Sequence, residues 1–190
     1  MRTALIPWLL AASLVIGGLL WRAGDLVQTT GAAKVGGPFA LIDQNGQPRT
    51  DKDFRGRLML VYFGYTNCPD VCPTTLAEMG DALGQLGGGG KRIAPIFVTV
   101  DPARDTPRVL KTYVKSFGEN FVGLTGNPKA VANVASEYRV YFRKQDLPTG
   151  GYAMDHSSTI YLMGPDGKFL DHYDESIGPD GLAKELRKRL

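Results

Sequence analysis

With 190 residues, 43% of them hydrophobic and 22% charged, the chain has the composition of a folded protein and the length for one globular domain plus an appendage. A formal net charge of +3 is too small to argue for a nucleic-acid partner, and the basic run Lys184-Glu185-Leu186-Arg187-Lys188-Arg189 reads as the solvated face of a terminal helix. The two cysteines, Cys68 and Cys72, enclose too short a loop to staple a fold, which excludes a disulfide-framed scaffold.

Residues 3–21 carry no charge and are bracketed by Arg2 and Arg22, with Trp21 suited to a membrane interface. Such a stretch just spans a bilayer core as a helix. A cleaved secretory signal is the rival, but it has small residues close behind a shorter apolar region. Here the nearest such cluster, Gly31-Ala32-Ala33, lies beyond Arg22 and Asp25. The expectation is therefore an uncleaved transmembrane anchor over residues 1–24, a tether over 25–37 and a domain over 38–190. Anchor or signal, the segment sends the domain across a membrane. We take this as a single pass in the inner (cytoplasmic) membrane, with the domain on the periplasmic side as a tethered monomer.

Residues 39–47 give a short strand and an Asn45-Gly46 turn, a hairpin signal. Residues 58–63 are uniformly apolar and read as a central strand. A helix is predicted over 71–86, with Leu76, Met79, Leu83 and Leu86 at helical spacing. It should end in a flexible surface loop at the four glycines 87–90. Residues 93–100 form a second buried strand, and Pro107 opens a helix over 106–117. Asn127-Pro128 opens another, running to Tyr138. Strands over 159–163 and 169–173 flank the tight turn Gly164-Pro165-Asp166-Gly167, and a last helix starts at Pro179. Strands alternating with helices and closing in an antiparallel hairpin predict an α/β fold, a mixed sheet covered by helices on both faces.

The chemistry concentrates in Phe63-Gly64-Tyr65-Thr66-Asn67-Cys68-Pro69-Asp70-Val71-Cys72-Pro73. Pro73 lacks an N–H, so its helix must begin within the few residues before it. That puts Cys72 in the first turn and Cys68 just ahead of it, where the helix dipole favours thiolate over thiol. A thiolate attacks disulfides and also ligates metal, and on spacing alone the redox and metal readings stand level. His156, just before the strand at 159, tips the balance towards metal. Two thiolates and one imidazole make a soft, low-coordination set suited to copper(I), whereas structural zinc asks for a fourth ligand. The bland alternative for His156 is a loop histidine bonded to Asp155, and His172 reads as surface-facing on an outer strand. Asp101, at a strand end lining the crevice, is a candidate to support the site through hydrogen bonds. Asp105 reads as the cap of the helix that follows.

The cysteine segment, Asp101-Pro102-x-Arg104-Asp105-Thr106, and Asp155-His156-Ser157 ahead of Tyr161-Leu162-x-Gly164-Pro165-Asp166-Gly167 together resemble the Sco/SenC family over residues 36–190. The resemblance implies a membrane-tethered, thioredoxin-like protein that binds one copper ion, Cu(I) or Cu(II). It implies Cys68, Cys72 and His156 as the metal ligands, with Asp155 preceding the ligand histidine as another supporting candidate. It further implies work on the binuclear copper centre of cytochrome c oxidase subunit II, either delivering copper or reducing the cysteines there. In the second case Cys68 and Cys72 are a redox pair and the protein a thiol-disulfide oxidoreductase; a redox or copper sensor is a third reading. Other copper chaperones or thiol reductants would be further partners. The proline that thioredoxins carry before the last hairpin is missing, with Ser157-Ser158 in that neighbourhood, which weakens a general disulfide-exchange reading.

Overall fold

A computed structural model describes residues 34–190, within which residues 35–190 pack as one compact unit. The expected anchor over residues 1–24 lies outside the described residues, as does the tether up to residue 33. Among the described residues no helix is long and apolar enough to cross a membrane.

The strands are β1 (Ala40–Asp43), β2 (Pro48–Thr50), β3 (Leu58–Gly64), β4 (Ile93–Thr99), β5 (Val122–Thr125), β6 (Phe142–Asp146), β7 (Tyr152–His156), β8 (Thr159–Met163) and β9 (Phe169–Asp174). The helices are α1 (Val71–Gln85), α2 (Pro107–Lys115), α3 (Pro128–Glu137) and α4 (Gly178–Arg187). Seven strands form one sheet in the order β2-β1-β5-β4-β3-β8-β9. β3, β4 and β5 run parallel to one another, and β1, β2, β8 and β9 join the sheet by antiparallel pairing. The result is the mixed α/β, thioredoxin-like layout expected from the alternation of strands and helices.

Every residue of β3 and β4 is buried, which is why both read as unbroken apolar runs. Alternate side chains serve opposite faces. Phe97 of β4 meets Tyr113 of α2, and Gly80 of α1 comes close to the Phe117 carbonyl in the turn after α2. Phe63 of β3 points the other way, against Tyr138 at the end of α3 and Tyr161 of β8. Fully buried aromatic side chains of this kind each contribute about 1.5–3 kcal/mol, so the two strands are the most firmly fixed part of the molecule.

Two expectations are corrected. Residues 87–90 are not a flexible loop: Gly87–Arg92 wind into a 3-10 helix, and Gly90 is buried. A Cβ on Gly90 would lie 2.6 Å from the Leu83 carbonyl oxygen, so the glycines let this turn press onto the end of α1. Asp105 does not cap α2; Thr106 does, its hydroxyl accepting from the Val109 N–H at 3.4 Å. The sequence reading also assigned no strand to β5, β6 or β7. β6 and β7 pair only with each other, as a two-stranded ribbon outside the main sheet. A segment such as Phe142-Arg143-Lys144-Gln145-Asp146 has one apolar residue and shows no alternation to read.

Candidate metal centre

β3 carries the chain to the site and ends at Gly64; the turn 65–70 follows, and α1 begins at Val71. Cys72 is thus the second residue of the helix, with Pro73 behind it in the first turn, where a missing N–H costs nothing. Its side chain is fully buried against the end of the sheet, whereas Cys68 is half-buried. A Cβ on Gly64 would lie 2.8 Å from the Cys72 sulfur and 3.0 Å from Phe97 Cε2. The sulfur fits there because residue 64 has no side chain. The Cys72 N–H points at the Cys68 sulfur, 3.5 Å away.

The turn is held from inside by Asp105. Its buried carboxylate accepts from the Thr66 N–H at 3.0 Å, the Thr66 hydroxyl at 2.6 Å and the Thr99 hydroxyl at 2.5 Å. Burial raises its pKa above the ordinary carboxylate value, against the opposing pull of these hydrogen bonds.

His156 is the last residue of β7, and its Nε2 lies 3.2 Å from the Cys72 sulfur. Nδ1 lies 3.1 Å from the Ser157 carbonyl oxygen. A carbonyl only accepts, so Nδ1 holds the proton and Nε2 turns its lone pair to the thiol. Burial keeps the imidazole below its ordinary pKa, outweighing the Ser157 carbonyl and the Asp155 charge, so the ring is neutral at pH 7. The rings of Tyr62 and Tyr65 meet it edge-on, with centroids 6.2 and 5.9 Å away.

The expectation that the helix dipole makes a thiolate fails for Cys72 in the free protein. Burial pushes its thiol up to about 12, because removing the sulfur from water outweighs the partial charge of a helix end. A bound cation would supply the missing charge and expel the proton.

The ligand atoms of Cys68, Cys72 and His156 lie within 4.8 Å of one another, and no fourth His, Cys, Asp or Glu joins this group among the described residues. Metal–sulfur bonds of about 2.3 Å place opposed ligands about 4.6 Å apart, so a soft ion fits with little movement. Asp101 is buried beside the site; it accepts from the Tyr152 hydroxyl at 2.9 Å and pairs with Arg104. Asp155 is exposed and accepts from Gln145 at 2.7 Å, so it does not reach the His156 ring, and His172 stands exposed on β9. Tyr65, Arg104 and Tyr152 escaped the sequence reading. Arg104 stood inside a quoted motif without a role, and the 48-residue gap between Arg104 and Tyr152 leaves no local signal.

A family model described as SCO1/SenC matches residues 27–190. The mitochondrial protein SCO1 homolog 1 of Arabidopsis thaliana is 39% identical over 165 residues, 84% of this chain. Those residues are 49% of the relative, so the chain spans about half its length. Among solved structures, Bradyrhizobium japonicum ScoI with copper bound is 44% identical with a TM-score of 0.77, over 82% of this chain and 99% of that one. BsSco, described as a member of the Sco family of cytochrome c oxidase assembly proteins with a disulfide switch, is 27% identical with a TM-score of 0.64. It is matched over 82% of this chain and 93% of its own. Family model, curated relative and solved structures agree: the chain belongs to the SCO1/SenC family.

Proposed function

We propose that the protein is a copper metallochaperone that binds one copper ion through Cys68, Cys72 and His156 and assists assembly of the binuclear copper centre of cytochrome c oxidase, on subunit II. The observation that carries this reading is the convergence of two sulfurs and one neutral imidazole nitrogen within 4.8 Å, without a fourth ligand among the described residues. The set is soft and under-coordinated, suited to copper(I) and to its release. The copper in the Bradyrhizobium japonicum relative and the oxidase assembly named for BsSco support the same reading. Cys68 is the more accessible sulfur, so ligand exchange with an acceptor cysteine would proceed from its side. Residues 1–24 would anchor the domain in the inner membrane, facing the periplasm; the support is the uncharged stretch 3–21.

A second reading, thiol-disulfide reductase, is favoured by one observation: both cysteines are free and lie side by side. Cys68 would attack a partner disulfide and Cys72 would close the internal one, releasing the reduced partner. Anaerobic copper(I) titration of the reduced protein against a competing chelator, with parent and His156→Ala in parallel, tests the choice. One copper per chain, held more weakly by the variant, supports the metallochaperone. Negligible copper binding with brisk reduction of a partner disulfide moves the function to the reductase.

A further inference from the structure

The ribbon that carries His156 has no strand neighbour in the main sheet, so something else must set its position against the cysteine turn. Its two other local bonds, Tyr141 N–H to the Ser157 hydroxyl and Ser157 N–H to the Tyr141 carbonyl, close the base of the ribbon on itself. Phe142 and Met154 pack against the core. The side-chain hydrogen bonds that cross from the ribbon to the rest of the domain, the His156–Cys72 contact apart, converge on Arg104 and its partner Asp101, in the loop after β4.

The Arg104 guanidinium donates through Nη1 to the Tyr152 carbonyl at 2.9 Å and lies over the Tyr152 ring, 3.7 Å from its centroid. Its Nε donates to the Asp101 carboxylate, which also accepts the Tyr152 hydroxyl at 2.9 Å. Asp101 is itself fixed, because its N–H donates to the Thr99 hydroxyl at 2.9 Å, at the end of β4. The guanidinium also lies over the ring of Tyr65, 5.6 Å from its centroid, and that ring meets the His156 ring edge-on. Tyr152 opens β7 and His156 closes it, so one cation touches both the strand bearing the imidazole and the aromatic ring backing it. A planar fork that donates in two directions while stacking on rings is a task for arginine and not for lysine.

We propose that Arg104 is the positioning residue of the metal centre: by clamping Tyr152 to Asp101 and seating Tyr65, it sets the distance of His156 from the two sulfurs. It touches no ligand atom and acts through the strand and the ring, as outer partners of metal ligands commonly do. The proposal rests on the copper reading of the site and concerns which residue makes the histidine available to it.

The test uses the full-length chain with Arg104→Ala, Arg104→Lys, Tyr152→Leu and His156→Ala, plus the double variant R104A/H156A. Copper(II) is added and the nitrogen hyperfine coupling of the imidazole is read by electron paramagnetic resonance; copper(I) affinity is read against a chelator. Arg104→Ala should lose or broaden the nitrogen coupling and weaken affinity by about 10–100-fold. In the His156→Ala background the same change should do nothing further, since Arg104 acts only through His156. Tyr152→Leu, which leaves the buried Asp101 intact, should reproduce the effect if Arg104→Ala does not fold, and Arg104→Lys should fall with Arg104→Ala. Parent-like nitrogen coupling in Arg104→Ala or Tyr152→Leu overturns the proposal. So does an equal further loss in the His156→Ala background, or full rescue by lysine, which would leave only charge at work. If the parent itself binds no copper, the function above fails, and the clamp is judged in the metal-free protein by the nuclear Overhauser contact between the Tyr65 and His156 rings. Its loss in Arg104→Ala supports the clamp; its persistence overturns it.

Discussion

The metal centre joins two regions built in different ways. The cysteine turn caps a strand whose seven residues are all buried, and its loop is pinned by a carboxylate with three donors. The histidine ribbon stands outside the sheet, and its ten residues are at most partly buried. The sulfurs therefore hold their place as long as the core holds, at the cost of global unfolding. The imidazole depends on a few side-chain ties, each worth about 1–3 kcal/mol at most. A carrier that must both keep and surrender an ion has use for one rigid and one adjustable side.

The largest effects should separate the two sides. Cys72→Ser is expected to abolish copper binding, because it removes the buried sulfur around which the other two ligand atoms gather. His156→Ala should leave a two-sulfur site of much lower affinity, weakened by more than the roughly 10–100-fold typical of an outer partner. Chelator competition on both variants checks this; equal retention by His156→Ala and parent would break the three-ligand site.

Next comes the pin beneath the turn. Asp105→Ala strands the Thr66 N–H and the hydroxyls of Thr66 and Thr99, and should cost about 2–4 kcal/mol of stability, read from denaturant unfolding. Ser157→Ala, at the base of the ribbon, should cost about 1 kcal/mol or less by the same measurement. Costs of similar size would erase the contrast between a fixed and an adjustable side.

The proton balance sharpens it further. Between pH 6 and 8 the Cys72 thiol, raised to about 12, is protonated in the free protein and must lose its proton to bind the ion. His156, held below its ordinary value, is already neutral at pH 7 and above and loses none there. Copper affinity should therefore rise at least about tenfold per pH unit from the sulfur side. The same slope should persist in His156→Ala. A flat profile in the parent would show that Cys72 is a thiolate before the metal arrives.

How much was legible in the sequence follows the same division. β3, β4 and α1 announce themselves through apolar runs and helical spacing, because burial on both faces leaves no freedom in residue type. The cysteine turn was legible because Pro73 fixes where its helix starts. The ribbon was not: Arg143, Lys144, Gln145 and Asp146 pair with a strand that has equally little pattern, and its place against the domain rests on long-range contacts such as Arg104 to Tyr152. His156 could be singled out as a ligand by its residue type, by its place just before the strand at 159 and by the family resemblance. Asp105 was misread because a carboxylate ahead of a helix is a usual cap; its burial under Thr66, thirty-nine residues away in sequence, is a tertiary fact.

The smallest expected effect tests the neighbour of the ligand histidine. In Asp155→Asn the side chain keeps its size and can still bond across the ribbon to Gln145, its side-chain partner. The carboxylate acts on His156 through charge alone, raising its pKa slightly, and the residue is exposed, so water and salt screen that influence. Copper affinity should change by less than about threefold, and stability by less than about 0.5 kcal/mol, as for an ordinary surface substitution. The imidazole is already neutral at pH 7, so no proton competition is relieved, and taking a negative charge away from the cation should make the small change a loss. A drop of tenfold or more would mean that Asp155 leaves Gln145 and turns onto the site when the ion binds. The ribbon would then rearrange around the metal, and its free geometry would no longer be the working one.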